Sequence, residues 1–180
     1  MSEQRQNEWR ILEDRAMHLL LNPVELIEDK NSELYLRLWQ YPSFERHIAW
    51  AVYTEKNRNE NLLIQKIIWN RPADSKRFSD PRTAVTQRFN TKPRISNKFK
   101  TIKAELFEPY LKELLRINVS PLINENSIGI DGIRFGFESR KFKASASVSW
   151  WGAAPKEWQP LENWVLRAKN FINTQFVLIS

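Results

Sequence analysis

Three runs of sequence decide the fold: LYLRLWQY at residues 34–41, HIAWAVYT at residues 47–54 and LLIQKIIW at residues 62–69. Each run is rich in β-branched and aromatic side chains, which are typical of strands, and the first strand is predicted from residue 33. The polar residues 55–61 between the last two runs indicate a hairpin loop. Separations this short favour antiparallel pairing, because a parallel crossover needs about a dozen residues. We therefore predict a three-stranded meander.

A second β unit is indicated by SIGIDGIRFGF at residues 127–137. The apolar positions change from even to odd across Asp131-Gly132, and either a two-residue hairpin turn or a glycine bulge produces such a change. We favour the turn. A further turn is predicted at residues 138–141, followed by FKASASVSW at residues 142–150, which alternates as a strand does. The later unit therefore has two or three strands.

Helical spacing of apolar residues predicts a helix over residues 5–21, which ends before Pro23 because proline disfavours a helical residue ahead of it. The same spacing runs from Phe99 to Ile117, where Pro109 predicts two helices or a kink. It returns in a C-terminal amphipathic helix over residues 158–172.

These elements predict an α+β fold, in which helices pack on one face of an antiparallel sheet. At 180 residues the chain fits a single domain. Residues 71–97 show little periodicity and contain three prolines, so we predict a long basic loop there. Loops of this length are usually functional or disordered.

Composition excludes several classes of function. All four glycines lie between residues 129 and 152, and no Walker or dinucleotide-binding loop can form without glycines at fixed spacing. Cysteine is absent and the two histidines are far apart, so we expect neither a metal site nor a cofactor. No apolar run reaches the ~20 residues of a membrane span, and the first 22 residues do not resemble a signal peptide, so a cytoplasmic location is expected.

Charge is concentrated in one segment. Residues 71–103 hold ten of the 28 Lys and Arg but only two of the 21 Asp and Glu, which gives +8 there and −1 elsewhere. Phe78, Phe89 and Phe99 are interleaved with these bases, and such a mixture suits phosphate contacts and base stacking. A solvated loop and a surface for an acidic protein partner are the other interpretations. The candidate binding residues of this segment are Arg77, Arg82, Arg88, Lys92, Arg94, Lys98 and Lys100.

Two consecutive tryptophans form a weaker candidate. Most of the eight tryptophans lie on apolar patterns and are predicted to be core. Successive residues of a strand face opposite sides, so only one of Trp150 and Trp151 can point into the core. The other either anchors the following loop or belongs to a binding surface, since tryptophan is enriched at interface hot spots.

The C-terminal region resembles the corresponding part of small uncharacterised bacterial proteins. The features that carry the resemblance are the strand with Asp131-Gly132, then Trp150-Trp151-Gly152, and the series Pro155, Trp158, Leu161 and Trp164. The resemblance covers about a fifth of the chain and implies no activity or site.

No catalytic motif is present: the chain lacks a Gly-x-Ser-x-Gly elbow, and its adjacent acids, such as Glu13-Asp14, do not face each other on a helix. We therefore expect a non-enzymatic protein-interaction module of the accessory or immunity type, whose partner has an acidic surface. The alternative is binding of nucleic acid or another polyanion through the basic segment. The third hypothesis is an enzyme whose carboxylates are brought together by the fold.

Overall fold

The computed structural model describes residues 3–27, 32–55, 58–80, 92–120, 131–141 and 144–177. Its centre is a six-stranded antiparallel sheet with the strand order β4-β3-β2-β1-β5-β6. The strands are β1 (Ser32–Pro42), β2 (His47–Glu55), β3 (Arg58–Trp69), β4 (Ile95–Lys103), β5 (Ile133–Lys141) and β6 (Ala144–Trp151).

Within these ranges, four α-helices and two short 3-10 turns flank the sheet. The helices are α1 (Glu3–Leu21), α2 (Arg71–Ser79), α3 (Ala104–Leu114) and α4 (Gln159–Gln175), and the 3-10 turns are Pro23–Leu26 and Lys156–Trp158. α2 begins after Asn70, whose side-chain oxygen accepts a hydrogen bond from the N–H of Ala73, and α4 carries a proline in its first turn. Both are regular features of helix starts.

Apolar side chains cover both faces of the sheet, and each face has its own core. On the front face, residues such as Leu38 and Trp50 pack against α3 and α4 through Phe107, Trp164 and Ile172. The back-face core joins α1 to the strands, and its buried members are Leu12, Ala16, Leu20, Trp39, Tyr41, Ala49, Ile67 and Trp69. The alternation of strand residues explains the division, since Leu38 and Trp39 are neighbours in sequence but belong to different cores.

The α+β class, the meander and the later hairpin are confirmed. The expectation that helices pack on one face of the sheet is wrong in that detail, because α1 packs on the back face while α3 and α4 pack on the front. The physical reason lies in the central strands, whose odd and even positions are both largely apolar, so that neither face can be left to water.

The predicted loop at residues 71–97 also needs correction. Residues 71–79 form α2, and β4 begins at Ile95. Pro72 does not break α2, because it lies in the first turn, where its missing N–H costs nothing. The middle of the segment, residues 81–91, lies outside the described residues.

Two boundaries differ from the sequence-based expectation. The helical spacing that begins at Phe99 proves to belong to a strand as far as Lys103, and the helix begins only at Ala104 and contains Pro109. The turn predicted at residues 138–141 is instead the end of β5, and β6 starts at Ala144. Whether Asp131-Gly132 is a turn or a bulge depends on residues 121–130, which lie outside the described part of the chain.

A buried ion pair fixes the end of α1 to the sheet. Arg37 Nη2 lies 2.5 Å from Glu138 Oε2, and both side chains are almost fully buried. Arg37 also donates to the main-chain carbonyl oxygens of Leu20 and Leu21 at the last turn of α1. A guanidinium at this position satisfies carbonyls that have no partner within the helix.

Candidate functional site

The basic segment divides into an inner group of arginines and an outer group of lysines. The inner group surrounds Asp74, which is fully buried in α2. Arg77 Nη2 lies 3.0 Å from Asp74 Oδ1 and Arg94 Nε lies 3.7 Å from the same oxygen. Arg77 also donates to the carbonyl oxygen of Lys92 at 3.1 Å. Arg77 and Arg94 therefore both interact with one buried carboxylate, which balances the charge of only one of them.

Arg71, at the start of the same segment, is likewise committed to internal contacts. Its guanidinium lies 3.1 Å from Glu13 Oε1, donates to the carbonyl oxygen of Ser43 at 2.6 Å and stacks over the ring of Trp9 at 5.6 Å. This arrangement ties α2 to α1 and to the β1–β2 turn.

Of the other candidate bases, Lys92 is exposed. Arg82 and Arg88 lie outside the described residues, so their predicted binding role stays a prediction. Lys98 and Lys100 are exposed on the edge strand β4. The structure thus brings together Arg77, Arg94 and Asp74 at one end of β4, and it places Lys98 and Lys100 along the strand itself.

Lys66 of β3 joins these two lysines on the front face. Lys66 is the direct cross-strand partner of Lys98, and its partner on the other side is Trp50, a front-face core residue. Lys66, Lys98 and Lys100 are here called the lysine patch. Like charges directly opposite each other on paired strands are destabilising. Partial burial lowers the pKa of Lys66, and the charge of Lys98 lowers it further.

No carboxylate among the described residues lies within ion-pair distance of the lysine patch. Among the described residues, the patch makes one polar contact: Lys100 Nζ donates to the carbonyl oxygen of Gln175 at 2.7 Å, near the end of α4. A helix C-terminus carries partial negative charge, so this contact offsets only part of the local positive potential. The patch is therefore cationic, and none of the acids that the structure describes compensates its charge.

A partly exposed strip of apolar side chains lies beside the lysine patch. Ile48 and Ile68 are cross-strand partners on the front face, next to Lys66, and both are only half-buried. On the far side, Lys169 of α4 donates to Gln40 Oε1 at 2.7 Å and lies over the ring of Phe135 at 5.5 Å. Burial lowers the pKa of Lys169. Lysines thus stand on two sides of a half-exposed apolar strip.

The aromatic residues of the basic segment do not share this surface. Phe99 is exposed, but it lies between Lys98 and Lys100 on a strand, so its ring points to the back face. Phe78 packs edge-on against Trp9 at 5.6 Å, within the back-face core. Phe89 lies outside the described residues. The sequence suggests that bases and aromatic rings share one surface. Among the described residues, however, the lysines lie on the front face and the phenylalanines on the back face.

Trp150 and Trp151 lie on opposite faces, as alternation predicts. Trp150 is buried in the front core, stacks on Phe135 and donates from Nε1 to Glu162 Oε1 at 3.3 Å. Trp151 is half-buried on the back face, where a Cβ at Gly132 would lie 2.8 Å from its Nε1. Trp150 is thus a core residue, and Trp151 packs close to Gly132, just before β5. The predicted binding role of Trp151 stays a prediction.

In the described part of the chain, neither histidine belongs to a group of residues with metal-binding geometry. His47 is buried between Tyr41 and Trp69, and its Nε2 lies 3.0 Å from the carbonyl oxygen of Pro42. His18 is exposed and lies 2.9 Å from Glu25 Oε1. Within the described ranges, no group of three or more His, Cys, Asp or Glu side chains could hold a metal ion.

Lys66 and Lys169 are the surface residues that sequence reasoning missed. Lys66 has a visible signal, since it is the one charged residue in the apolar run LLIQKIIW. Its proximity to Lys98 depends on strand pairing, which the sequence does not display. Lys169 lies on the polar side of an amphipathic helix, where a lysine gives no distinguishing signal.

The chain was compared with protein-family models, curated proteins and solved structures, and none of the three comparisons found a match. No helix in the described part of the chain is long and apolar enough to cross a membrane.

Proposed function

We propose that this protein binds an acidic surface of another protein through the lysine patch, as an accessory or immunity-type module. The observation that carries the proposal is that Lys66 lies directly opposite Lys98, with Lys100 beside them. Among the described residues, no carboxylate lies near any of these three lysines. Holding like charges together opposes folding, and a partner that supplies carboxylates would relieve that repulsion on binding.

The neighbouring strip supports a protein partner in particular. Ile48 and Ile68 are half-buried and lie between the patch and Lys169. Protein interfaces combine such an apolar centre with a charged rim, and the rim charges guide association. Single-stranded nucleic acid would favour a different arrangement, in which aromatic rings for base stacking lie among the cations. Phe99, the exposed ring nearest to the lysines in sequence, points to the other face.

The test compares two triple variants with the same change of net charge. The patch variant removes the lysine patch and carries Lys66→Gln, Lys98→Gln and Lys100→Gln. The second variant removes three exposed lysines elsewhere and carries Lys76→Gln, Lys112→Gln and Lys156→Gln. The probes are a glutamate-rich peptide, a duplex oligonucleotide and a single-stranded oligonucleotide, each titrated over a range of salt concentrations. We expect the wild type and the second variant to bind the peptide, and the patch variant to lose that binding.

Equal loss in both variants would show that net charge alone is responsible and would overturn the proposal. Oligonucleotide binding that survives physiological salt would favour the nucleic-acid alternative. In that case, loss of three phosphate contacts should flatten the slope of log K against log salt by about 2.7 for duplex or about 2.1 for single strands.

A further inference from the structure

The outer edge of β6 is an open strand edge of unusual composition. β6 is the last strand of the sheet, and no described strand pairs with its outer side. Residues 144–147 are exposed, and residues 144–155 include no charged side chain, although 27% of the chain is charged. The opposite edge differs, because β4 carries Lys98, Lys100 and Lys103. Charged side chains, lysine above all, are a common protection against edge-to-edge pairing, and β6 lacks them.

The register of the β5–β6 hairpin shows which main-chain groups face outward. Gly152 N donates to the carbonyl oxygen of Ile133 at 2.8 Å, and this pair continues the register in which Arg134 opposes Trp151. Hydrogen-bonded and non-hydrogen-bonded pairs alternate along an antiparallel ladder, so even-numbered residues of β6 bond to β5. The N–H and C=O groups of Ser145, Ser147 and Ser149 therefore point to the open edge.

The open edge is complementary to a second copy of itself. If two β6 strands run antiparallel about a twofold axis at Ser147, then Ser147 meets Ser147, Ser145 meets Ser149 and Ala146 meets Val148. Hydroxyl faces hydroxyl on the back face, and small apolar side chains face each other on the front. The outward main-chain groups of the three serines also match, which gives about six hydrogen bonds at two per bonded pair. Cross-strand pairs of hydroxyl residues are favourable.

We infer that this chain forms a twofold homodimer through β6, in which two six-stranded sheets join into one continuous sheet. Charge argues for this site of self-association, since a chain with a net charge of +7 repels its own copies over most of its surface. The outer strand β6 itself carries no charged side chain, so two copies can approach there with less repulsion; the charged group in contact with it is Arg134 of β5, whose Nη2 donates to Ser149 Oγ at 3.2 Å. The inference is independent of the lysine patch, which lies at the opposite edge of the sheet.

The absence of native cysteine makes a direct test possible. In the proposed dimer the two Ser147 residues are a bonded pair, whose Cα atoms lie about 5.5 Å apart. A disulfide spans about 4.4–6.8 Å between Cα atoms, so Ser147→Cys should form a covalent dimer under mild oxidation. The matched control is Ser96→Cys, because Ser96 is an exposed serine on the other edge strand. We expect the control to form little covalent dimer, although its β6 edge is unchanged.

Sedimentation and light scattering over a range of protein concentrations provide the second measurement. The wild type should show a concentration-dependent dimer, and Ser147→Lys should raise its dissociation constant roughly tenfold or more, because two lysines would then face each other. Ser96→Lys should leave the dissociation constant unchanged. Circular dichroism confirms that each variant is folded. A wild type that is monomeric at all concentrations, or a dimer that neither Ser147 variant affects, would overturn the inference.

Discussion

Asp74 is fully buried, and its Oδ2 accepts a hydrogen bond from the indole Nε1 of Trp69 at 2.8 Å. The same oxygen accepts the main-chain N–H of Arg94 at 2.8 Å, and Arg77 balances the charge. One carboxylate thus joins the end of β3, the first turns of α2 and the start of β4. This contact holds together the two described parts of the segment predicted as a loop at residues 71–97, namely α2 and the start of β4.

We expect Asp74→Ala to lower the free energy of unfolding by about 2–4 kcal/mol. The substitution leaves the indole N–H of Trp69 and the main-chain N–H of Arg94 without their acceptor, and each unsatisfied buried donor costs about 1–3 kcal/mol. Urea denaturation measures the change. Asp14→Ala is the control, because Asp14 is exposed on α1 and should stay within about 0.5 kcal/mol of the wild type. Equal effects of the two variants would contradict the assigned role.

Gly136→Ala should destabilise the protein through contact with Trp39. A Cβ at position 136 would lie 1.9 Å from Cε2 of the Trp39 indole, which packs flat on β5 beneath Arg37 at 4.8 Å. Displacing a buried ring costs about 1–3 kcal/mol or more. In a Trp39→Ala background the same glycine change should cost little, and the double-mutant cycle measures the coupling. A cost that is the same in both backgrounds would show that the indole is not the cause.

Trp150→Ala and Trp151→Ala should differ in their effect on stability, although the residues are adjacent. Trp150 is 6% exposed in the front core, so its truncation should cost about 3–5 kcal/mol. Trp151 is half-buried and loses less apolar contact, so about 1–2 kcal/mol is expected. Thermal or chemical denaturation provides the comparison. The reverse order would mean that the back face contributes more to stability than the structure indicates.

Acidification should destabilise the fold partly through His47. Burial lowers the pKa of His47 to about 4, and the nearby charge of Arg71 acts in the same direction. Between pH 6.5 and 4 the unfolded chain binds a proton that the folded protein excludes, so this contribution to stability is complete above pH 6.5 and is lost as the pH falls toward 4. His47→Gln should therefore flatten the curve of unfolding free energy against pH in that window. His18→Gln is the control for an exposed histidine, and an unchanged slope in His47→Gln would refute the prediction.

Local pattern was sufficient for most elements of the fold. The three central strands, α1 and α4 lie within a few residues of their predicted bounds, because each has a sustained apolar period. β4 was missed because ISNKFKTIK has few apolar residues, and Phe99 and Ile102 happen to have helical spacing. α2 was missed because its order depends on Asp74 and its partners, which lie up to 20 residues away.

The candidate surface was predicted only in part. The concentration of charge in residues 71–103 is visible in the sequence, and Lys98 and Lys100 are indeed exposed. Ion pairs and strand pairing determine which of the other basic residues belong to the surface. Arg77 and Arg94 are bound to Asp74, whereas Lys66 joins the patch from another strand.

The sequence by itself determined the α+β class, the antiparallel meander, the later hairpin and the opposite orientations of Trp150 and Trp151. These features follow from periodicities of two and 3.6 residues, which are properties of the local chain. Only the tertiary structure decided that helices cover both faces, which arginines neutralise Asp74, and that Lys66 lies opposite Lys98. Such facts depend on contacts between distant residues, and burial and charge act through space rather than along the chain.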